Sequence, residues 1–143
     1  MATYNKFQQF VEDLAKGVHN LATGALKIML TLSAPVATNS VKANLTDISA
    51  GNGYTAGGTA VTVTTAAQTT GTFTLAANQV VFTASGGAIA DFRYPVLYND
   101  TPTSPADPLI AWWDYGSTVS LADGETFTVK FSNASPGTIL TLA

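Results

Sequence analysis

The sequence predicts a mainly β chain: an antiparallel β-sandwich or jelly-roll-like domain over residues 25–143, led by one amphipathic α-helix within residues 1–23. Three observations carry this. A helical hydrophobic period is confined to about the first twenty residues, and a period of 2 takes over after Gly24. About eight or nine short runs rich in Val, Phe and Thr follow, each bounded by small turn residues at the spacing of sandwiches and barrels. No helical pattern stands between those runs, so the crossovers of a parallel sheet are missing. At 143 residues the chain fits one domain with a single core.

In the leading segment Phe7, Phe10, Val11, Leu14, Val18 and Leu21 recur at helical spacing and draw one apolar stripe. Asn5 is placed to cap the helix, with Gln8 three residues on in a capping-box relation. Lys16 and His19 fall near the C-terminal end, where the helix dipole favours positive charge, and Gly24 is a natural stop. Gly17 interrupts the pattern. In ALKIMLTLS, Leu26, Ile28, Leu30 and Leu32 share one face and Lys27, Met29 and Thr31 the other, the mark of a half-buried strand. VKANLTDIS reads as a further short strand. TAVTVTTA, GTFTLA and QVVFTA follow as β-branched runs. AIADFRYPVLYND is longer, and Pro95 assigns it an edge position or a bulge. After PLIAWWDYG, the segments TVSL and TFTVKFS flank the turn Ala122-Asp123-Gly124-Glu125 and read as a hairpin. GTILTLA is the last strand.

Composition limits the partners. Charged residues make up 10% of the chain, against about 25% in ordinary soluble domains. Such a surface lacks the charged coat that keeps copies apart and is suited to being covered. A net charge of −3 with six Lys and Arg argues against a nucleic-acid partner. No run approaches the roughly 20 apolar residues of a membrane helix, so no membrane partner is expected. MATYNKFQQFVEDLAKG lacks the apolar core of a secretory signal, and the mature chain is expected to start at Met1 or Ala2. With no cysteine, disulfides and thiolate metal sites are excluded.

The stretch GNGYTAGGTA, beginning at Gly51, satisfies the permissive form of the dinucleotide fingerprint. That fingerprint works by seating a pyrophosphate on the helix that follows, with an acidic residue about twenty positions on. Here a β-branched run follows and Leu75 and its neighbours are uncharged, so the loop is read as a turn, carrying an exposed Tyr54. His19 is the single histidine and has no nucleophile nearby in sequence. Asp91, Asp100, Asp107 and Asp114 are scattered, and no calcium-loop pattern gathers them. No catalytic, cofactor or metal residue is assigned. Adjacent Trp112 and Trp113 must point to opposite faces of a strand. With Tyr115, Tyr54 and the helix residues Phe7, Phe10, Val11 and Leu14, they form the candidate protein interface, because Trp and Tyr anchor such surfaces.

The blocks ATYNKFQQFVEDLAKGVHNL, GNGYTAGG, FRYPVLYND, IAWWDYG and LADGETFTVKF, in that order, resemble a group of small virion structural proteins of tailed bacteriophages and prophages. Within that group the closest likeness is to capsid decoration, or cement, proteins. The resemblance implies a particle component made in the host bacterial cytoplasm and placed on the capsid exterior. It would bind the major capsid protein and itself, as a dimer or trimer. A place in the tail or head–tail joint is the alternative, and a carbohydrate-binding virion module using the outward Trp and Tyr is another. A small hydrolase has the least support.

Overall fold

The computed structural model describes residues 2–143. Along the chain run β1 (Tyr4–Lys6), α1 (Gln9–Ala15), β2 (Leu26–Thr31), β3 (Thr59–Ala60), β4 (Val63–Thr69), β5 (Thr72–Ala77) and β6 (Val80–Thr83). Then come β7 (Ile89–Phe92), β8 (Tyr94–Asn99), β9 (Leu109–Trp113), β10 (Val119–Leu121), β11 (Thr126–Val129) and β12 (Gly137–Leu142). Every pairing between these strands is antiparallel. One layer is a five-stranded sheet in the order β1-β9-β8-β2-β3. Facing it are the three-stranded sheet β12-β5-β4 and the pairs β10-β7 and β11-β6. The architecture is the mainly β, sandwich-like one that the periodicity predicts.

One main core joins the layers. Ile28, Leu30, Leu97 and Trp113 from the five-stranded sheet meet Leu75, Phe82, Phe92 and Ile139 from the opposite side. The sheet's other face is also covered: Phe7, Met29, Val96, Tyr98 and Leu109 form a second, smaller cluster against Trp112. β2 is therefore buried on both faces rather than half-buried, with Ile28, Met29 and Leu30 all fully inaccessible. Trp112 and Trp113 do point to opposite sides, but both sides are packed.

The leading segment differs most from its sequence pattern. The helix covers only Gln9–Ala15, not most of residues 1–23. Upstream, Tyr4, Asn5 and Lys6 pair with Trp113, Trp112 and Ala111, so Asn5 sits in a strand and caps nothing. Downstream, Gly17 at φ +77° ends the helix. Its amide donates to Leu14 O and that of Val18 to Asp13 O, the paired bonds of a Schellman stop. A free strand edge on β9 outcompetes the first helical turn, and Gly17 removes the last.

Three further segments depart from expectation. Within VKANLTDIS, Lys42–Asn44 form one 3-10 turn instead of a strand. Pro95 lies in β8, an internal strand and not an edge, opposite Leu30 of β2; the ladder to β9 begins only at Val96, and the irregularity expected of this run falls between Leu97 and Tyr98. The turn 122–125 exists, with Glu125 N donating to Ala122 O at 3.0 Å. Its flanking strands nevertheless do not pair with each other: β10 joins β7 and β11 joins β6. Gly124 N donates to Ala84 O, Ala84 N to Glu125 O, and Asp123 Oδ1 accepts from Gly86 N at 2.9 Å. Those bonds fasten the turn to residues 84–86 and make it a corner between strand pairs.

Candidate functional site

The glycine loop at Gly51 is built into the fold. Gly51 and Tyr54 exchange backbone hydrogen bonds, which closes the turn and swings Tyr54 inward, where it is 3% exposed. Its hydroxyl accepts from Leu30 N at 3.1 Å and donates to Asp47 Oδ1. Asp47 Oδ2 accepts from Gly57 N at 2.6 Å, and Gly57 O accepts from the Tyr98 hydroxyl at 2.6 Å. Burial, with the bond to Asp47 second, pushes the Tyr54 phenol far above its ordinary range. The loop crosses other backbone at contact distance: a Cβ on Gly58 would sit 1.8 Å from Ile28 O, and one on Gly53 2.1 Å from Thr83 O. The expectation of an exposed Tyr54 is thus corrected: it is a buried pin, and the amides of Gly51, Tyr54, Gly57 and Gly58 are all taken up by acceptors within the protein.

The proposed interface residues separate in space. Phe7, Phe10, Tyr54 and Trp113 are buried inside their own domain. Trp112 is partly buried with its ring 4.5 Å from that of Phe7, and Leu14 packs partly against the main core. Val11 and Tyr115 remain exposed, at 51% and 56%. Packing took the large apolar groups because both faces of the five-stranded sheet needed cover.

Tyr115 has a defined setting. Asp114 accepts from Arg93 Nε and Nη2 at 2.7 and 2.9 Å and from Gly116 N at 2.8 Å. These bonds hold the Asp114 carboxyl below the usual carboxylate range, Arg93 contributing most, and they fix the turn that carries Tyr115. The tyrosine ring meets the edge of Phe127, centroids 5.5 Å apart. Together with Trp113 and Asn133 they line an open concavity of about 320 Å³. An aromatic wall with amide and ammonium groups at its rim, from Asn133 and Lys130, can stack a flat apolar face and hydrogen-bond its edge.

The remaining polar candidates are dispersed. Asp91 accepts from Ser120 Oγ, Asp123 from Gly86 N, and Asp100 meets Lys27 Nζ at 2.6 Å. Only Asp100 and Asp107 come together. The bond to Lys27 holds Asp100 below its ordinary range, while burial, then the bond to Asp100, raises Asp107. His19 is buried beyond the helix, its Nδ1 3.3 Å from Asn99 Nδ2 and its ring 5.1 Å from Phe10. Its Nε2 and the buried Asp13 Oδ2 have no hydrogen-bond partner. Among the described residues no three His, Asp or Glu side chains are grouped to hold a metal ion.

One further surface is marked by the charges it lacks. Between Asp47 and Asp91 the chain carries no charged residue, and β3 to β6 all lie in that run. Its most exposed part is the hairpin β4–β5, where Thr64, Thr65, Ala67, Gln68, Thr69 and Thr70 face solvent. Thr70 and Gly71, both at positive φ (49° and 86°), make the two-residue turn that suits a twisted hairpin. Its mark in the sequence is the spacing of charges, not any chemistry-bearing residue.

Comparisons with protein-family models, with curated proteins and with solved structures return no match for this chain.

Proposed function

We propose that this chain is a structural protein of a tailed-phage particle, acting on the capsid exterior as a decoration protein that binds and braces the major capsid lattice. The observation that carries the reading is the exposed, uncharged β surface between Asp47 and Asp91. Covering a charged surface costs desolvation unless each charge finds a partner, whereas a threonine- and alanine-rich one loses little when pressed against a neighbour. Repeated over a lattice, many weak contacts of this kind add to firm attachment. The order of the blocks that resemble virion proteins supports the same class.

Counting copies per particle and locating them tests this. Hundreds of copies on DNA-filled heads, and heads that lose heat resistance when the protein is left out, are the expected results. Attachment to purified tails with none on the heads overturns the capsid assignment and favours the tail or the head–tail joint.

A second reading, a carbohydrate-binding virion module, is favoured by the concavity of Trp113, Tyr115 and Phe127. Tyr115→Ala is then expected to abolish glycan-array binding without unfolding the chain. An unmodified chain that binds no glycan on the array removes this reading.

A further inference from the structure

We infer that the free edge of β4 is a seam through which two copies of this chain join, β4 against β4 in antiparallel register. β4 ends the three-stranded sheet β12-β5-β4, and its outer backbone groups have no strand beside them. A long, regular, exposed edge is a template for pairing unless charge, proline, a bulge or brevity blunts it. The strands of the pairs β10-β7 and β11-β6 are edges too, but none is longer than four residues, and the remaining edges of the larger sheets are blunted. β1 has three residues and ends on the exposed Lys6, and β3 has two. β12 is interrupted between Thr138 and Leu140, which leaves a regular run only from Leu140 to Leu142. β4 has its irregularity at the start, between Val63 and Thr65, and runs in register from Thr65 to Thr69.

The occupant follows from charge and symmetry. Across an antiparallel two-fold, a strand meets its own sequence reversed, and any charge on it would face or neighbour its like. β4 reads VTTAAQT and has none, so it matches itself. The register follows from the turn. In a hairpin closed by two residues, Thr69 and Thr72 form a hydrogen-bonded pair. Alternation then directs the backbone groups of Ala67 toward β5 and those of Ala66 and Gln68 outward. A two-fold through Ala67 pairs Ala66 with Gln68 of the second copy, sets Thr65 opposite Thr69, and brings the two small Ala67 side chains face to face. Thr–Thr pairs across strands are favourable. The result is one six-stranded sheet continuous through both copies.

The chain has no cysteine, which makes the register directly testable. A non-hydrogen-bonded antiparallel pair has Cα atoms about 4.5 Å apart, within disulfide reach. The full chain is expected to double its mass by sedimentation as concentration rises. Oxidised Ala67→Cys is expected to run as a covalent dimer, while Thr141→Cys on the opposite edge stays single. Gln68→Pro removes an outward N–H from each copy and is expected to lose the doubled mass, its fold checked by circular dichroism. A chain monomeric at every concentration, a Gln68→Pro variant that folds and still dimerises fully, or a crosslink through Cys at 141 in place of 67 overturns the seam. The seam does not depend on the particle assignment: a chain that dimerises through β4 but is missing from capsids sinks only the latter.

Discussion

At the scale of single residues, the tightest constraints are where backbone lies on backbone. Gly58, at φ +85° and with a Cβ position inside Ile28 O, has neither space nor a permitted conformation for a side chain. Gly58→Ala is expected to cost on the order of 4 kcal/mol or more, whereas Gly71→Ala, equally left-handed but facing open space, costs about 1–2 kcal/mol. Urea denaturation of the two variants measures the difference. Tyr54→Phe strands Asp47 and the Leu30 amide, and is expected to cost about 1–3 kcal/mol in the same experiment. His19 supplies a pH signature. Burial holds its imidazole below 6.5, outweighing the pull of Asp13 in the other direction. Between the folded and unfolded values the unfolded chain holds a proton that the native chain does not, so stability falls as pH drops below about 6.5. The raised Asp107 works in the opposite sense, so the effect is isolated by difference. Thermal melts from pH 7 to pH 5 should fall less steeply for His19→Gln than for the unmodified chain.

At the scale of elements, what the sequence made legible was periodicity, and what it hid was competition. The strands from Leu26 onward declared themselves by alternation. The helix did not end where its apolar stripe did, because a stripe records which side chains are buried and not which backbone partner wins. Phe7 and Leu21 are buried as the stripe demands, yet one follows a strand and the other lies in a loop past the Schellman stop. Likewise Asp123 and Gly124 correctly marked a turn, but pairing of the strands beyond it was decided by β6 and β7. Among the candidate interface residues Tyr115 is exposed and Tyr54 is buried, since a glycine-rich stretch does not say which way it closes. At the hairpin tip, Thr70 is β-branched and left-handed, a combination with a steric cost. Thr70→Asn is expected to raise stability by on the order of 1 kcal/mol, read as a higher denaturation midpoint.

At the scale of the whole molecule, the five-stranded sheet is a middle layer, with the main core on one side and the cluster around Phe7 and Trp112 on the other. The second cluster is small, so each member matters. Phe7, with no accessible surface, inserts from the segment joining β1 to α1, and Phe7→Ala is expected to cost about 3–5 kcal/mol. Tryptophan fluorescence should report this as a changed environment for Trp112, whose ring rests on Phe7.

The pairing of β1 with β9 also sets an order in time. Asn5 bonds to Trp112 across 107 positions of chain, so the strand made early waits for one made late. At roughly 5–20 residues per second on the ribosome, that interval is about 5–20 seconds. Through it Tyr4, Phe7 and Phe10 stay uncovered within reach of chaperones and of other nascent chains. Closure of the middle sheet is then a late, long-range event, of the kind that slows folding.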